Sequence, residues 1–128
     1  MSFPTEFKYT KDHEWAHIEG KNATVGITDH AQSSLGDIVF VELPQVGRSL
    51  KKGETFGVVE SIKAVSDLYS PVAGKVIAVN TALVDDPSKI NKTPHTEAWL
   101  IKVELEAASS VSDLMDSAAY SKYVESLH

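Results

Sequence analysis

Cysteine is absent from this 128-residue chain. That removes structural disulfides, thiolate zinc sites and any nucleophilic thiol of the protein's own. If sulfur chemistry occurs on this protein, the sulfur is brought in on another molecule. Positive charge is also scarce: 12 Lys and Arg stand against 18 Asp and Glu, for a net charge of -6, which disfavours phosphate backbones and anionic membranes as partners. No apolar run is long enough to cross a bilayer, and Met1-Ser2-Phe3-Pro4-Thr5-Glu6 lacks a basic segment followed by an apolar one. The expectation is a soluble protein of a bacterial cytoplasm, or a processed protein of a mitochondrial matrix that carries a new Met1. Gly-rich phosphate loops, G-x-S-x-G and G-x-G-x-x-G are missing as well. No constellation of acid, base and nucleophile stands out, which argues against an independent catalyst.

What is present suits one ordinary domain spanning residues 1–128, with 42% hydrophobic and 23% charged residues, enough to bury a core without metal or disulfide. Residues Phe7 to Ile18 read as extended, and Glu19-Gly20-Lys21-Asn22 is a turn before a second strand at Ala23 to Ile27. Thr28 or Asp29 stands where a helix cap would, and Gly36 is a natural left-handed stop for a short helix from His30 to Leu35. Asp37 to Pro44 is nearly continuous in apolar residues, as expected of a strand buried on both faces. Gln45 to Gly53, with Lys51 and Lys52, reads as loop with solvated charges. Asn80 to Glu97 reads as a long surface excursion, interrupted by Pro87 and Pro94, with room only for short helices near Leu83 and Ile90. From Trp99 to Leu105 the period of two marks a strand with one buried face. At Val111, Leu114 and Met115, and again at Tyr120, Tyr123, Val124 and Leu127, helical spacing predicts two short amphipathic helices over about 111–127. Ser110 would cap the first, with Asp113 in the capping-box position. The sum is mostly β: two packed antiparallel sheets with short helices and a helical C-terminus.

One motif points to different chemistry. His13-Glu14-Trp15-Ala16-His17 matches H-E-x-x-H, the signature of a zinc hydrolase. That chemistry needs a helix, where residues four apart stack about 6 Å from one another and can reach one zinc. In a strand the two imidazoles would stand about 13 Å apart at ~3.3 Å per residue. Gly20 cuts off any helix, and no third ligand follows at the metzincin spacing. His30, His95 and His128 are single and read as surface or cap residues.

The stretch Glu60-Ser61-Ile62-Lys63-Ala64-Val65-Ser66-Asp67 lies between two β-type runs, Thr55 to Val59 and Leu68 to Val72. This predicts a hairpin over about 55–72 with Lys63 at its tip. A tip lysine is ordinarily a solvated charge, and its neighbours alone do not decide otherwise. Together with the Ser70-Pro71-Val72-Ala73-Gly74 return, however, the stretch resembles the lipoyl-attachment hairpin of lipoyl-carrying proteins. Further motifs match in order: His13-Glu14-Trp15, Val25-Gly26-Ile27-Thr28-Asp29-His30-Ala31-Gln32 and Leu35-Gly36-Asp37-Ile38-Val39-Phe40-Val41-Glu42-Leu43-Pro44. From about Tyr9 to about Leu105 the chain is similar to the H-protein family of the glycine cleavage system. Ala98 stands where that pattern tends to have Gly.

The resemblance implies a barrel-sandwich hybrid of the lipoyl-domain kind and a carrier with no turnover of its own. Lipoate would be joined by an amide to Lys63. The arm would receive the aminomethyl group of glycine from a pyridoxal-phosphate glycine decarboxylase, yield it to a folate-dependent aminomethyltransferase, and be reoxidised by a flavin dihydrolipoamide dehydrogenase. A lipoate ligase or lipoyl transferase would install it, and the carrier would be a monomer with no metal. Glu60 and Asp67 flank the lysine as candidates for recognition by enzymes. Glu14, His30 and Asp67 are expected to border a cleft where the loaded arm rests. Two alternatives share the swinging arm: a biotin carrier, from which Ile62-Lys63-Ala64 differs by lacking both flanking methionines, and a dehydrogenase lipoyl domain, which is shorter.

Overall fold

The computed structural model describes residues 2–106 and 111–127. Among these residues, nine strands form two antiparallel sheets. The larger runs β1 (Lys8–Tyr9), β2 (Glu14–Glu19), β3 (Asn22–Ile27), β9 (Ile101–Leu105), β8 (Gly74–Val79) and β5 (Ser49–Leu50) in that order; the smaller runs β4 (Ile38–Glu42), β6 (Thr55–Ser61) and β7 (Val65–Tyr69). Each sheet has one apolar face, and burying both in a single layer removes the most apolar area from water. Val25, Val76, Ile101 and Val103 of the larger sheet meet Val41, Phe56, Val59 and Leu68 of the smaller one in the main core.

The β2–β3 hairpin turns at Gly20, whose φ of 61° is the left-handed conformation expected of the turn cluster. Extended structure from Phe7 to Ile18 is not continuous. His13, with φ 68°, turns the chain between β1 and β2, so H-E-x-x-H spans a turn and a strand rather than a helix. Helix α1 (Asp29–Leu35) follows the reading closely: the Thr28 hydroxyl accepts from the Ala31 N–H, and Gly36 ends the helix at φ 82°.

Strand β4 departs from expectation. Only Ile38 and Val41 are buried, while Val39 and Phe40 are 55% and 46% exposed. The cause is its position at the edge of a three-stranded sheet, with a register shift between Ile38 and Phe40. An apolar run therefore does not mark a strand buried on both faces here. Close approach of β4 to β6 requires Gly57, because a Cβ there would sit 2.3 Å from the Glu42 carbonyl oxygen.

The excursion after β8 carries the two short helices anticipated, α2 (Ala82–Asp85) and α3 (Lys89–Lys92), but it is no loose surface loop. Leu83 and Ile90 reach the main core. The Asn91 side chain accepts from the Ile38 N–H at 2.9 Å and donates to the Gly36 carbonyl at 2.8 Å and to Gln32 Oε1 at 2.9 Å. It thereby ties α3 to the end of α1 and the start of β4. Strand β9 begins two residues later than the alternation suggested, since Leu100 and Ile101 are both buried. Ala98 is buried too, its methyl in the main core.

Among the described residues of the C-terminus, one helix replaces the two expected. Val111 to Met115 lies in turns and a bridge to Tyr9, and α4 (Ser117–Glu125) starts from an Asp116 cap that accepts from the Ala119 N–H. The expected cap Ser110 lies outside the described residues, and Asp113 pairs with Lys52 instead of closing a capping box. Lys52 is accordingly not a merely solvated charge. Helix α4 covers a second core of Phe3, Phe7, Tyr9, Trp15, Tyr120 and Val124. There Tyr120 stacks on Tyr9 with centroids 4.6 Å apart, and Phe7 stacks on Trp15 at 4.4 Å.

Replacing Asn91 by Ala strands the Ile38 N–H and the Gly36 carbonyl in a partly buried place. Urea unfolding of Asn91→Ala should show a loss of about 2–3 kcal/mol; a loss below about 0.5 kcal/mol would mean that water replaces the amide without cost.

Candidate functional site

The β6–β7 hairpin is rooted in the core and ends in water. Phe56, Val59 and Leu68 are buried, whereas Ile62, Lys63, Ala64 and Val65 are exposed. A hairpin on its own is marginal; this one gains stability from β4 along one side and from the main core beneath. Its tip is not one of the primed turns that need positive φ, since no tip residue has one. Ser61 takes over: its hydroxyl oxygen accepts from the Ala64 N–H at 3.0 Å and, more weakly, from the Lys63 N–H at 3.3 Å, while the Ser61 N–H donates to the Ala64 carbonyl at 2.8 Å. The Ile62 N–H donates to the Asp37 carbonyl at 3.2 Å, fixing the tip to the start of β4.

Lys63 itself is exposed, and its aliphatic stem lies over Gly36: a Cβ placed there would be 3.3 Å from Lys63 Cε. Nothing in the sequence signals that contact, because it joins a helix stop to a hairpin tip 27 positions along the chain. Ser61 was more legible, as Ser commonly accepts backbone N–H groups two or three residues on.

Glu60 and Asp67 stand on the hairpin beside Lys63. Glu60 pairs across to Val65 and to Phe40, and Asp67 pairs across to Val58. Both carboxylates are at least partly open to solvent. Glu14 is different. It is 2% exposed and lines a cleft of about 390 Å³ together with Tyr9, Thr10, Tyr69, Ser70 and Met115. Its Oε1 accepts from the Thr10 hydroxyl at 2.8 Å, and its Oε2 accepts from the Tyr69 N–H at 3.2 Å. Burial pushes its carboxyl up to about 7, against the opposing pull of those two hydrogen bonds. Glu14 is thus enclosed in the wall of the cleft and is not presented on the open surface.

His30 does not share that cleft. It lines another hollow, with Phe3, Ser33, Ser121 and Val124, and its ring packs 4.5 Å from that of His13. The His13 Nδ1 is 2.7 Å from the Tyr120 hydroxyl, and burial holds this imidazole below its usual range. His17 lies instead beside Glu19, at 3.5 Å. Among the described residues, no three His, Asp or Glu stand close enough to hold a metal ion.

The Glu14 carboxyl binds a proton more tightly in the folded chain than in the unfolded one. Its contribution to stability is full below about 4.5 and is lost as the pH rises through about 7. Glu14→Gln keeps an acceptor for the Tyr69 N–H and turns an NH2 toward the Thr10 hydroxyl, which then accepts instead of donating, without that loss. Relative to wild type it should gain about 2–3 kcal/mol between pH 4.5 and pH 8, read as the difference in unfolding free energies. An equal difference at both pH values contradicts a perturbed carboxyl.

Comparison with known proteins agrees with this geometry. The glycine cleavage H-protein family model matches residues 7–127. The glycine cleavage system H protein of Acidobacterium capsulatum is 55% identical over 98% of this chain and 96% of its own length. That of Koribacter versatilis is 58% identical over 96% and 94%. The crystal structure of a glycine cleavage system H protein from Mycobacterium marinum superposes with a TM-score of 0.86 at 41% identity, covering 98% of both chains. With the hairpin, the two sheets and nearly the full length in agreement, the chain belongs to the glycine cleavage H-protein family, the lipoyl carrier of the glycine cleavage system.

Proposed function

We propose that Lys63 is the residue that carries lipoate, through an amide on its side-chain nitrogen, and that the chain acts as a carrier without turnover of its own. The observation that bears most on this is mechanical: Lys63 is exposed at the end of a hairpin whose root is in the core. A side chain at such a point is reachable by a modifying enzyme from outside the sheets, while its Cα is held by the bonds of Ser61. When attached, lipoate supplies a dithiolane that takes up and releases an aminomethyl group and cycles between disulfide and dithiol. The protein contributes no thiol, having no cysteine.

The partners in this reading are glycine decarboxylase, aminomethyltransferase, dihydrolipoamide dehydrogenase and the enzyme that attaches lipoate. The bacterial relatives support a bacterial cytoplasmic setting, and the carrier works as a monomer. Glu14 and Tyr69 would border the place where the arm rests. With its proton affinity set near neutrality, Glu14 can accept or give a hydrogen bond to a bound amine there as the local charge requires. Closure against the wall of the cleft would also keep water from the tethered group. Asp67, on the same strand as Tyr69, stands between the tip and the cleft, whereas His30 lies apart, in its own hollow.

Intact mass of the protein made with lipoate available should show one lipoyl addition. Lys63→Arg, which keeps the charge and the hairpin, should show none, and addition that persists in Lys63→Arg overturns the assignment.

A further inference from the structure

The start of β4 is weakly held by its own sheet. Val39 is skipped in the register between β4 and β6, so the ladder is interrupted between Ile38 and Phe40, close to where β4 meets the lysine tip. The tip nonetheless leans on this segment. The Ile62 N–H donates to the Asp37 carbonyl at 3.2 Å, and the Lys63 stem lies over Gly36. Whatever holds Gly36, Asp37 and Ile38 in place therefore bears on the tip as well.

Asn91 of α3 holds this segment on both sides of Asp37. Its Oδ1 accepts from the Ile38 N–H at 2.9 Å, and its Nδ2 donates to the Gly36 carbonyl at 2.8 Å. The other Nδ2 hydrogen goes to Gln32 Oε1 at 2.9 Å, and Gln32 Nε2 in turn donates to Asp29 Oδ1 at 2.7 Å. A primary amide suits the place because it offers an acceptor and a two-hydrogen donor side by side; a carboxylate lacks the donor. Ile90, the preceding residue, is buried in the main core and fixes α3 beneath the amide.

We propose that Asn91 is a positioning residue for lipoate attachment, acting through the Gly36-Asp37-Ile38 segment to set the direction in which Lys63 leaves the protein. The proposal rests on the reading of Lys63 given above. Ser61 and Asn91 then divide the task. The bonds of Ser61 close the turn on itself and give it shape, but a turn closed only on itself can swing about the root of its hairpin. The path from Asn91 through the Asp37 carbonyl to the Ile62 N–H ties the turn to a second element and gives it aim. Without Asn91, the Ile38 N–H and the Gly36 carbonyl recover water only when the segment peels away from α3. Their desolvation therefore favours an opened tip. An attaching enzyme that accepts only the closed tip meets a smaller fraction of competent carrier, and its apparent affinity falls by that fraction.

The test compares two tip amides of the full-length chain by NMR-detected hydrogen exchange. In Asn91→Ala, exchange at Ile62 should quicken about tenfold, while Ala64, whose N–H is held by Ser61 within the turn, should exchange as in wild type. The rate of lipoate attachment, followed by intact mass with a bacterial lipoate ligase, ATP and lipoate, should show KM about threefold higher with kcat unchanged. Asn91→Asp keeps the acceptor for the Ile38 N–H and should fall between wild type and Asn91→Ala in both measurements. Val103→Ala opens a cavity in the main core away from this segment; it should lower the melting temperature and leave Ile62 exchange and KM unchanged. If Val103→Ala shifts them as much as Asn91→Ala does, or if Ile62 and Ala64 quicken together, Asn91 merely stabilises the fold and the proposal is wrong. It is equally wrong if Ile62 alone quickens and KM stays that of wild type. Modification of Lys63→Arg overturns the underlying reading of Lys63 instead, and leaves the tie between Asn91 and Ile62 to be judged by exchange.

Discussion

The alternation of faces along β6 is the constraint on which the rest of the site depends. Val59 points into the main core and Val58 and Glu60 point away, so the strand cannot slip by one residue without exposing the core and burying a carboxylate. That penalty fixes the register with β4 and β7, and the register decides what stands at the tip. Ser61 then closes the turn through its hydroxyl, leaving Ile62 and Lys63 as its two central residues. An exposed lysine thus has a defined position because residues several places away are buried.

Glycines and one amide carry the same logic outward. Gly57 lets β4 approach β6, which adds a third strand to what would be a weak hairpin. Asn91 secures the start of β4 and the end of α1, and Gly36 at that helix end leaves room for the Lys63 stem. The lysine is exposed at its side chain and restrained at its backbone. That division is what the proposed attachment at Lys63 requires of its anchor. Glu14 sits in a separate place, at the base of the hairpin, where its hydrogen bond to Tyr69 links the cleft to β7.

The chain also shows how a sequence motif loses its usual meaning in a different fold. H-E-x-x-H spans a left-handed turn and a strand, so its members part company: His13 goes to Tyr120, Glu14 into the cleft, and His17 to Glu19. Trp15, one of the two residues inside the motif with no role in zinc chemistry, anchors the second core by donating from Nε1 to the carbonyls of Ile27 and Pro94. Packing against Phe7 and the cover of α4 keep that core closed.

Much of this was legible in the residues alone. Local rules act within a few positions, so the β2–β3 turn, the Thr28 cap, the Gly36 stop, the two short helices and the Lys63 tip could all be read from spacing and turn chemistry. Errors arose where burial depended on distant partners. The run Val39-Phe40-Val41 looked like core but forms an edge, because whether an apolar residue is covered depends on which strands lie beside it. Leu83 and Ile90 looked like part of a surface excursion but fill the main core, and Val111 to Met115 had helical spacing yet was drawn into a bridge with Tyr9. The sequence by itself determined that a lysine stands at the tip of this hairpin and that the protein has no thiol of its own. Only the tertiary structure decided which groups stand together, separating His30 from Glu14, setting Gly36 under Lys63 and turning Phe40 and Val65 outward. Such neighbours come from strand order and register, and these follow from the free energy of closing a whole core rather than from any short stretch of chain.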